Sequence, residues 1–188
     1  MLHHETLLDA VLAELRAALV SVDPANLTRF RGLVRSAPRI FVAGRGRSGL
    51  VMSGFAMRLM HLGLAVHVVG DMTTPAVAAR DLLVLGSGSG RTPSLVQHAI
   101  RAHELQADIA LFTAAAHSPI GELAAFTLHI PAPTPKLAET YDPAASVLPM
   151  GSLFEHTLGL LLDMTVAGLM RELALDTTQM YARHANLE

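Results

Sequence analysis

Five short apolar runs of five or six residues each lie between residues 39 and 130, and most of them are separated by stretches with helical spacing. The runs cover residues 39–43, 65–69, 81–85, 108–113 and 126–130. Taken as a set, they lack the strict apolar–polar alternation of strands that have one solvated face. Continuously apolar strands are typical of parallel sheets with helices on both faces. The pattern therefore predicts an α/β fold.

Signals for the starts of helices accompany these runs. Asp23-Pro24 reads as an N-cap followed by proline at the first helical position, and it predicts a helix that reaches about Ser36. Other helices are predicted over residues 1–20, 48–62 and 92–106, after Ser118-Pro119, and from a Ser152 cap to about Glu172. Charged residues within the last of these favour a buried helix over a membrane span. We expect one domain over 1–188, with N-terminal helices 1–37, an α/β core 38–172 and a C-terminal helix and tail 173–188.

Composition and charge narrow the possible partners. The chain has 188 residues, of which 51% are hydrophobic, enough for a sizeable core. Its formal net charge is -2, which provides no overall positive field for nucleic acid or an anionic membrane. It contains no cysteine, which excludes thiolate catalysis and fits a reducing cytoplasm. We expect a cytoplasmic protein whose partners are small molecules or other proteins.

The first loop of interest, Gly44-Arg-Gly-Arg-Ser-Gly49, lies between a predicted strand and a predicted helix. Backbone N–H groups at such a position bind anions. The loop satisfies G-x-G-x-x-G, and Asp71 lies where a dinucleotide fold would place its ribose-binding acid. That alternative stays open, but Arg47 and Ser48 add side-chain phosphate ligands that a pyrophosphate turn does not need.

The second loop, Gly86-Ser-Gly-Ser-Gly-Arg-Thr92, also follows a predicted strand and opens a helix. Its backbone donors and hydroxyl groups suit one phosphate monoester, and its glycines permit close approach. The candidate ligands are Ser87, Gly88, Ser89, Gly90, Arg91 and Thr92. Either loop could alternatively be a flexible turn without a ligand. Two such loops at the carboxyl ends of parallel strands would meet in one crevice.

The remaining residues favour acid–base chemistry over imine or metal chemistry. The only lysine, Lys136, lies in a proline-rich stretch over residues 131–149, and the ten histidines show no metal-ligand spacing. We therefore expect no metal site and no cofactor. Glu155, near the start of the last long helix, is the candidate proton acceptor, although a glutamate there could simply oppose the helix dipole. His184 in the tail is either catalytic or merely exposed.

These segments together resemble the sugar isomerase (SIS) domain family. The resemblance rests on the two loops, on Phe55-Ala-Met-Arg-Leu-Met-His-Leu-Gly63 and on Val69-Gly-Asp71 with Thr74-Pro75. Two further segments, Pro149-Met-Gly-Ser-Leu-Phe-Glu155 and His184-Ala-Asn-Leu-Glu188, are similar to the 6-phospho-3-hexuloisomerase branch. The matching segments extend over nearly the whole chain.

The resemblance implies a three-layer αβα sandwich around a five-stranded parallel sheet, of the flavodoxin-like or Rossmann-like type. It implies cofactor-free conversion of D-arabino-hex-3-ulose 6-phosphate into fructose 6-phosphate, in the ribulose monophosphate pathway of formaldehyde fixation. By the same similarity, Ser48 and the loop from Ser87 to Thr92 bind the phosphate, and Glu155 accepts the proton. It also implies a homotetramer with sites between subunits, where His184 could serve a neighbour, and a hexulose-6-phosphate synthase as a candidate partner.

Arg91 departs from the family pattern, which usually has glutamate at this position. The arginine could alter specificity, point to solvent or add to phosphate binding. Two other functions therefore stay open: a different phosphosugar aldose-ketose isomerase, such as one for arabinose 5-phosphate, and a non-catalytic SIS module that senses a sugar phosphate.

Overall fold

A computed structural model describes residues 4–137 and 142–187 of the chain. Its centre is one sheet of five parallel strands in the order β2-β1-β3-β4-β5. The strands are β1 (Ile40–Gly44), β2 (Val66–Val68), β3 (Leu82–Gly86), β4 (Asp108–Thr113) and β5 (Phe126–His129). The predicted α/β class and the five-stranded parallel sheet are confirmed.

Seven α-helices and one short 3₁₀ turn connect and cover the strands in the described part of the chain. They are α1 (His4–Val20), α2 (Pro24–Ser36), α3 (Gly46–His61), α4 (Pro93–Glu104), α5 (Pro119–Leu123), a 3₁₀ turn at Pro143–Ala145, α6 (Ser152–Glu172) and α7 (Thr177–Tyr181). Apolar residues of α2, α3 and α6 pack on one face of the sheet, and those of α4 and α5 pack on the other. The result is three layers.

Both faces of the central strands are buried. In β1, Ile40 and Val42 join the core under α3 and α6, whereas Phe41 and Ala43 join the core under α4. This explains the continuous apolar runs, because every side chain of such a strand enters one core or the other. The edge strand β5 differs, since its residues alternate between buried and exposed.

The strand order changes direction between β1 and β3. From β1 it moves outward to β2, then returns to β3 on the other side of β1 and continues to β4 and β5. Crevices at such a switch point are where open α/β sheets bind ligands. Gly44 and Gly86, the last residues of the two strands, are direct partners in the ladder. The two glycine-serine loops therefore leave the sheet side by side.

Local signals account for the starts of α2 and α5. The Asp23 carboxylate accepts a hydrogen bond from the Ala25 amide at 2.9 Å, and Ser118 likewise caps α5 through Gly121 at 3.1 Å, as predicted. The predicted Ser152 cap is wrong: Gly151 is the N-cap, no side chain caps the helix, and Ser152 is already helical. Residues 138–141 of the proline-rich stretch, residues 1–3 and Glu188 of the tail motif lie outside the described residues.

Helix α6 is long and apolar enough to cross a membrane by length and composition alone. Half of its apolar window is buried inside the protein, and the helix packs against α1, α2 and α3. This packing agrees with the expectation of a buried helix.

Candidate active site

The first loop is a tight turn in which two glycines touch. A Cβ atom on Gly44 would lie 2.8 Å from both the Cα and the N of Gly49, so no larger residue fits without moving backbone. Gly46 has a φ of 59°, a conformation that glycine adopts at little cost. The turn places Arg45, Arg47 and Ser48 at the carboxyl end of β1, where α3 begins.

The second loop is organised by its own hydroxyl groups. The Gly90 amide donates to the Ser87 carbonyl at 3.0 Å and lies 3.2 Å from the Ser87 hydroxyl, while the Arg91 amide donates to the Ser89 hydroxyl at 3.3 Å. The hydroxyl oxygens of Ser87 and Thr92 are 3.4 Å apart. Gly90 has a φ of 60°. The loop is therefore a compact turn, ordered by internal hydrogen bonds, at the start of α4, the end of a helix that favours an anion.

The start of α6 closes the crevice from the side. A Cβ on Gly88 would lie 3.4 Å from the ring of Phe154, so the second loop and α6 are in contact at that point. The next residue, Glu155, forms an ion pair with Arg47 from the first loop, with 2.5 Å between Oε2 and Nε. The Glu155 side chain is only 17% exposed, whereas that of Arg47 is 61% exposed. A carboxylate held by an ion pair thus lies beside the two glycine-serine loops.

Glu155 and Arg47 were both candidates from sequence, but their pairing was not predicted. They are 108 residues apart, and nothing in the local sequence of either one indicates the other. The guanidinium of Arg47 contacts one carboxylate oxygen of Glu155, Oε2. A carboxylate held in this way can accept a proton from a bound substrate.

His184 lies at the other end of α3. Its ring stacks on His61 with 5.3 Å between centroids, and on Tyr181 at 5.6 Å. Helix α3 has 16 residues, a length of about 24 Å at 1.5 Å per residue. Because Glu155 contacts the first turn of α3 and His184 contacts its last residue, one chain does not bring the two side chains together.

The surroundings of His61 favour the neutral form of its ring. Burial lowers the pKa of His61, and the neighbouring charges of Arg58 and His184 lower it further. Nη1 of Arg58 lies 3.4 Å from Nδ1 of His61. Because a guanidinium can only donate, Nδ1 is the unprotonated nitrogen in this contact. A cavity of about 330 Å³ opens beside this pair, between α3, α6 and α7.

Two arginines have contacts around the second loop: Arg91 belongs to it, and Arg45 reaches the helix that follows it. Arg91 is exposed and donates to the His117 carbonyl at 3.3 Å. Arg45 reaches α4, where it donates to the Ser94 hydroxyl at 2.9 Å and lies 3.4 Å from Nε2 of His98. Arg45 was a candidate from sequence only as part of the loop, and neither Ser94 nor His98 was predicted to belong to the site. Their spacing of four residues on a helix that opens from the loop was the available signal.

No group of three or more histidine, aspartate or glutamate side chains in residues 4–137 and 142–187 is arranged to hold a metal ion. Among the described residues, the polar groups around the two loops are hydroxyls, backbone amides, the guanidinium groups of Arg45, Arg47 and Arg91, and the carboxylate of Glu155. This set suits a phosphorylated substrate that reacts by proton transfer.

Comparison with known proteins gives consistent matches. Residues 33–158 match the SIS domain family. The 3-hexulose-6-phosphate isomerase of Bacillus subtilis (strain 168) is 39% identical over 95% of this chain and 95% of its own length. The enzyme of the same name from Mycobacterium gastri is 40% identical over 96% of this chain and 89% of its own.

A solved structure agrees with these relatives. A protein of Methanococcus jannaschii, whose crystal structure was used to infer a 3-hexulose-6-phosphate isomerase function, superposes with a TM-score of 0.84. The two chains are 34% identical, and the match covers 96% of this chain and 98% of that one.

Proposed function

Since the chain belongs to the SIS domain family and, within it, to the 3-hexulose-6-phosphate isomerases, we propose that it interconverts D-arabino-hex-3-ulose 6-phosphate and D-fructose 6-phosphate by proton transfer at this crevice. The observation that carries the mechanism is the fixed Glu155 carboxylate beside two loops of phosphate-binding character. The reaction belongs to the ribulose monophosphate pathway of formaldehyde fixation.

Binding begins with the phosphate. The second loop, Ser87 to Thr92, supplies amide and hydroxyl donors, the N-terminus of α4 favours the negative charge, and Ser48 adds a donor from the first loop. Arg91, in the second loop, adds a positive charge near the phosphate. With the phosphate held, C2 and C3 of the open-chain sugar lie against Glu155.

Proton transfer then moves the carbonyl group. Glu155 removes the proton from C2 of the 3-ketose, which leaves a cis-enediolate across C2 and C3. The same carboxyl group returns the proton to C3, while a proton moves from the C2 oxygen to the C3 oxygen, so that the carbonyl ends on C2. Arg47 holds Glu155 in place and can stabilise negative charge on the enediolate oxygens.

Solvent-deuterium exchange tests this proposal in the reverse direction. We expect the protein, incubated with fructose 6-phosphate in D₂O, to form a 3-ketose and to introduce deuterium at C3, both observed by NMR. If proton return were wholly internal, the 3-ketose alone would report the reaction. Binding of the sugar phosphate with neither product would contradict the proposal and favour a sensor module. Turnover of arabinose 5-phosphate in place of fructose 6-phosphate would identify the other isomerase class.

We place His184 in the active site of a neighbouring subunit. Support comes from the separation of Glu155 and His184 along α3 within one chain, which leaves His184 no route to its own chain's Glu155. There it can move the proton between the two sugar oxygens or open the cyclic sugar, with His61 holding its ring. The proposal requires an oligomer, for which we favour a homotetramer.

Mixed oligomers test the role of His184. We expect Glu155→Gln and His184→Ala each to inactivate the protein, and co-expression of both chains to restore activity to about a quarter of the sites. Activity would return because the intact Glu155 of the His184→Ala chain would share a site with the intact His184 of the Glu155→Gln chain. Each variant alone serves as the control. Co-expressed chains that stay inactive, despite forming mixed oligomers, would contradict a shared site.

The proposal also covers the cellular location, the source of the substrate and the domain organisation. A cytoplasmic location suits a phosphorylated substrate whose charge prevents unaided passage through a bilayer. A hexulose-6-phosphate synthase would supply the 3-ketose. Residues 1–188 would act as one SIS domain that needs no cofactor.

A further inference from the structure

The two arginines of the first loop diverge toward opposite layers of the fold. Arg47 reaches α6 and pairs with Glu155, whereas Arg45 reaches α4 and contacts Ser94 and His98. Arg47 thus has a carboxylate partner. In the described residues, ion pairs form at Arg31, Arg35, Arg39, Arg47 and Arg101, and Arg45 is not among them.

The partners of Arg45 carry no negative charge. Ser94 offers a hydroxyl oxygen, and His98 offers Nε2 as an acceptor, because a guanidinium has no lone pair to accept a proton. Burial lowers the pKa of His98, and the charge of Arg45 lowers it further. The lowered pKa favours the neutral imidazole, the form that can accept this hydrogen bond.

The position of the guanidinium is electrostatically unfavourable until an anion binds. Ser94 is the second residue of α4, so Arg45 lies against the first turn, at the positive end of the helix dipole. Cations stabilise the opposite end of a helix, where Arg101 pairs with Glu104 at 2.9 Å. Arg45 is exposed, lies at the helix end that disfavours cations, and contacts neutral Ser94 and His98. A dianion bound nearby would therefore attract its guanidinium group.

Such a dianion would bind in the second loop. Thr92, the last residue of that loop, is two positions before Ser94, and Arg45 follows Gly44, the ladder partner of Gly86. We propose that Arg45 is a further phosphate ligand of the active site, which turns from Ser94 and His98 onto the substrate phosphate. This inference rests on the proposed function, because it places the phosphate of that substrate in the second loop.

The proposal assigns Arg45 to binding and not to proton transfer. Arg45 faces α4, on the other side of the sheet from Glu155 and α6. Its removal should therefore raise KM for the sugar phosphate and leave kcat nearly unchanged. Because the side chain is exposed, its effect should shrink as added salt screens the charge.

The main test compares Arg45→Ala with Arg101→Ala, which removes the same charge from the far end of the same helix. We expect Arg45→Ala to raise KM for fructose 6-phosphate about tenfold, the effect of one lost hydrogen bond to a charged group. The inhibition constant of inorganic phosphate should rise equally. Arg45→Lys should recover part of the affinity, and Arg101→Ala should resemble the wild type. Equal KM and inhibition constants in Arg45→Ala and Arg101→Ala would overturn the proposal.

An NMR titration of His98 gives a readout that does not need turnover. We expect Arg45→Ala to raise the pKa of His98, and saturating inorganic phosphate to raise it in the wild type by drawing Arg45 away. Phosphate that binds the wild type and leaves the His98 pKa unchanged would overturn the proposal. The two proposals can fail separately. If the wild type had no isomerase activity but bound phosphate, and Arg45→Ala bound phosphate more weakly, the role of Arg45 would be supported and the proposed reaction contradicted.

Discussion

Glu155→Gln is expected to lower the isomerisation rate by roughly 10²–10⁴-fold, the contribution of a positioned general base. The amide keeps nearly the shape of the carboxylate and can still accept a hydrogen bond from Arg47, but it cannot accept a proton. Affinity for the sugar phosphate should stay within a few-fold of the wild type, because the phosphate is held by other residues. The measurement is deuterium incorporation and 3-ketose formation from fructose 6-phosphate, together with direct binding of the sugar.

The matched control is Glu172→Gln, at the opposite end of the same helix. Glu172 pairs with Arg31 at 2.5 Å and with Arg35 at 3.3 Å, and these contacts lower the pKa of its carboxyl group. We expect this variant to lose some stability and to keep normal turnover. A Glu155→Gln protein that turns over within tenfold of the wild type would remove Glu155 from the mechanism.

Gly44→Ala should damage both stability and catalysis. The added Cβ would meet the backbone of Ser48 and Gly49 at 2.8–2.9 Å, and backbone atoms cannot turn aside as a flexible side chain can. The first loop must shift, which should cost about 1–3 kcal/mol of unfolding free energy. The shift also displaces Arg47 and Ser48, so kcat/KM should fall about 100-fold, as for a displacement of about 1 Å in an active site.

Gly32→Ala provides the contrast, since nothing lies within 4 Å of its Cβ position and the residue is inside α2. That change should raise the unfolding free energy by about 0.5–1 kcal/mol through helix propensity, with normal activity. Urea unfolding and steady-state kinetics on both variants give the comparison. A Gly44→Ala protein with wild-type stability and kcat/KM would mean that the loop adjusts freely and that its glycine contact is not needed.

Much of the fold follows from periodicity in the sequence. The apolar runs predicted every strand to within one residue at each end, because residues buried on both faces leave a signal that does not depend on distant partners. Helix α3 begins at Gly46, two residues before the predicted start, since the glycine-rich loop itself forms the first turn. The start of α6 was misassigned because the serine preference for caps was overruled by a glycine beside it.

The site was predicted less completely, for a physical reason. The loops and Glu155 carry local signatures, and the Gly44–Gly86 register brings the loops together as expected. The Arg47–Glu155 and Arg45–His98 contacts join residues that are 108 and 53 positions apart, and only the packed structure reveals them. The separation of His184 from Glu155 depends on where α7 docks, which no motif in the tail specifies.

The close approach of Gly44 to Gly49 also bears on how a protein of this kind can diversify. The backbone of the first loop tolerates no new Cβ at Gly44, so that position is closed to change. Arg45 and Arg91, in contrast, are exposed on the two loops and contribute nothing to either core. Substitutions at Arg45 and Arg91 can change ligand preference without disrupting the fold. The first loop thus combines a position where substitution disrupts the backbone, Gly44, with exposed positions where substitution can change ligand binding.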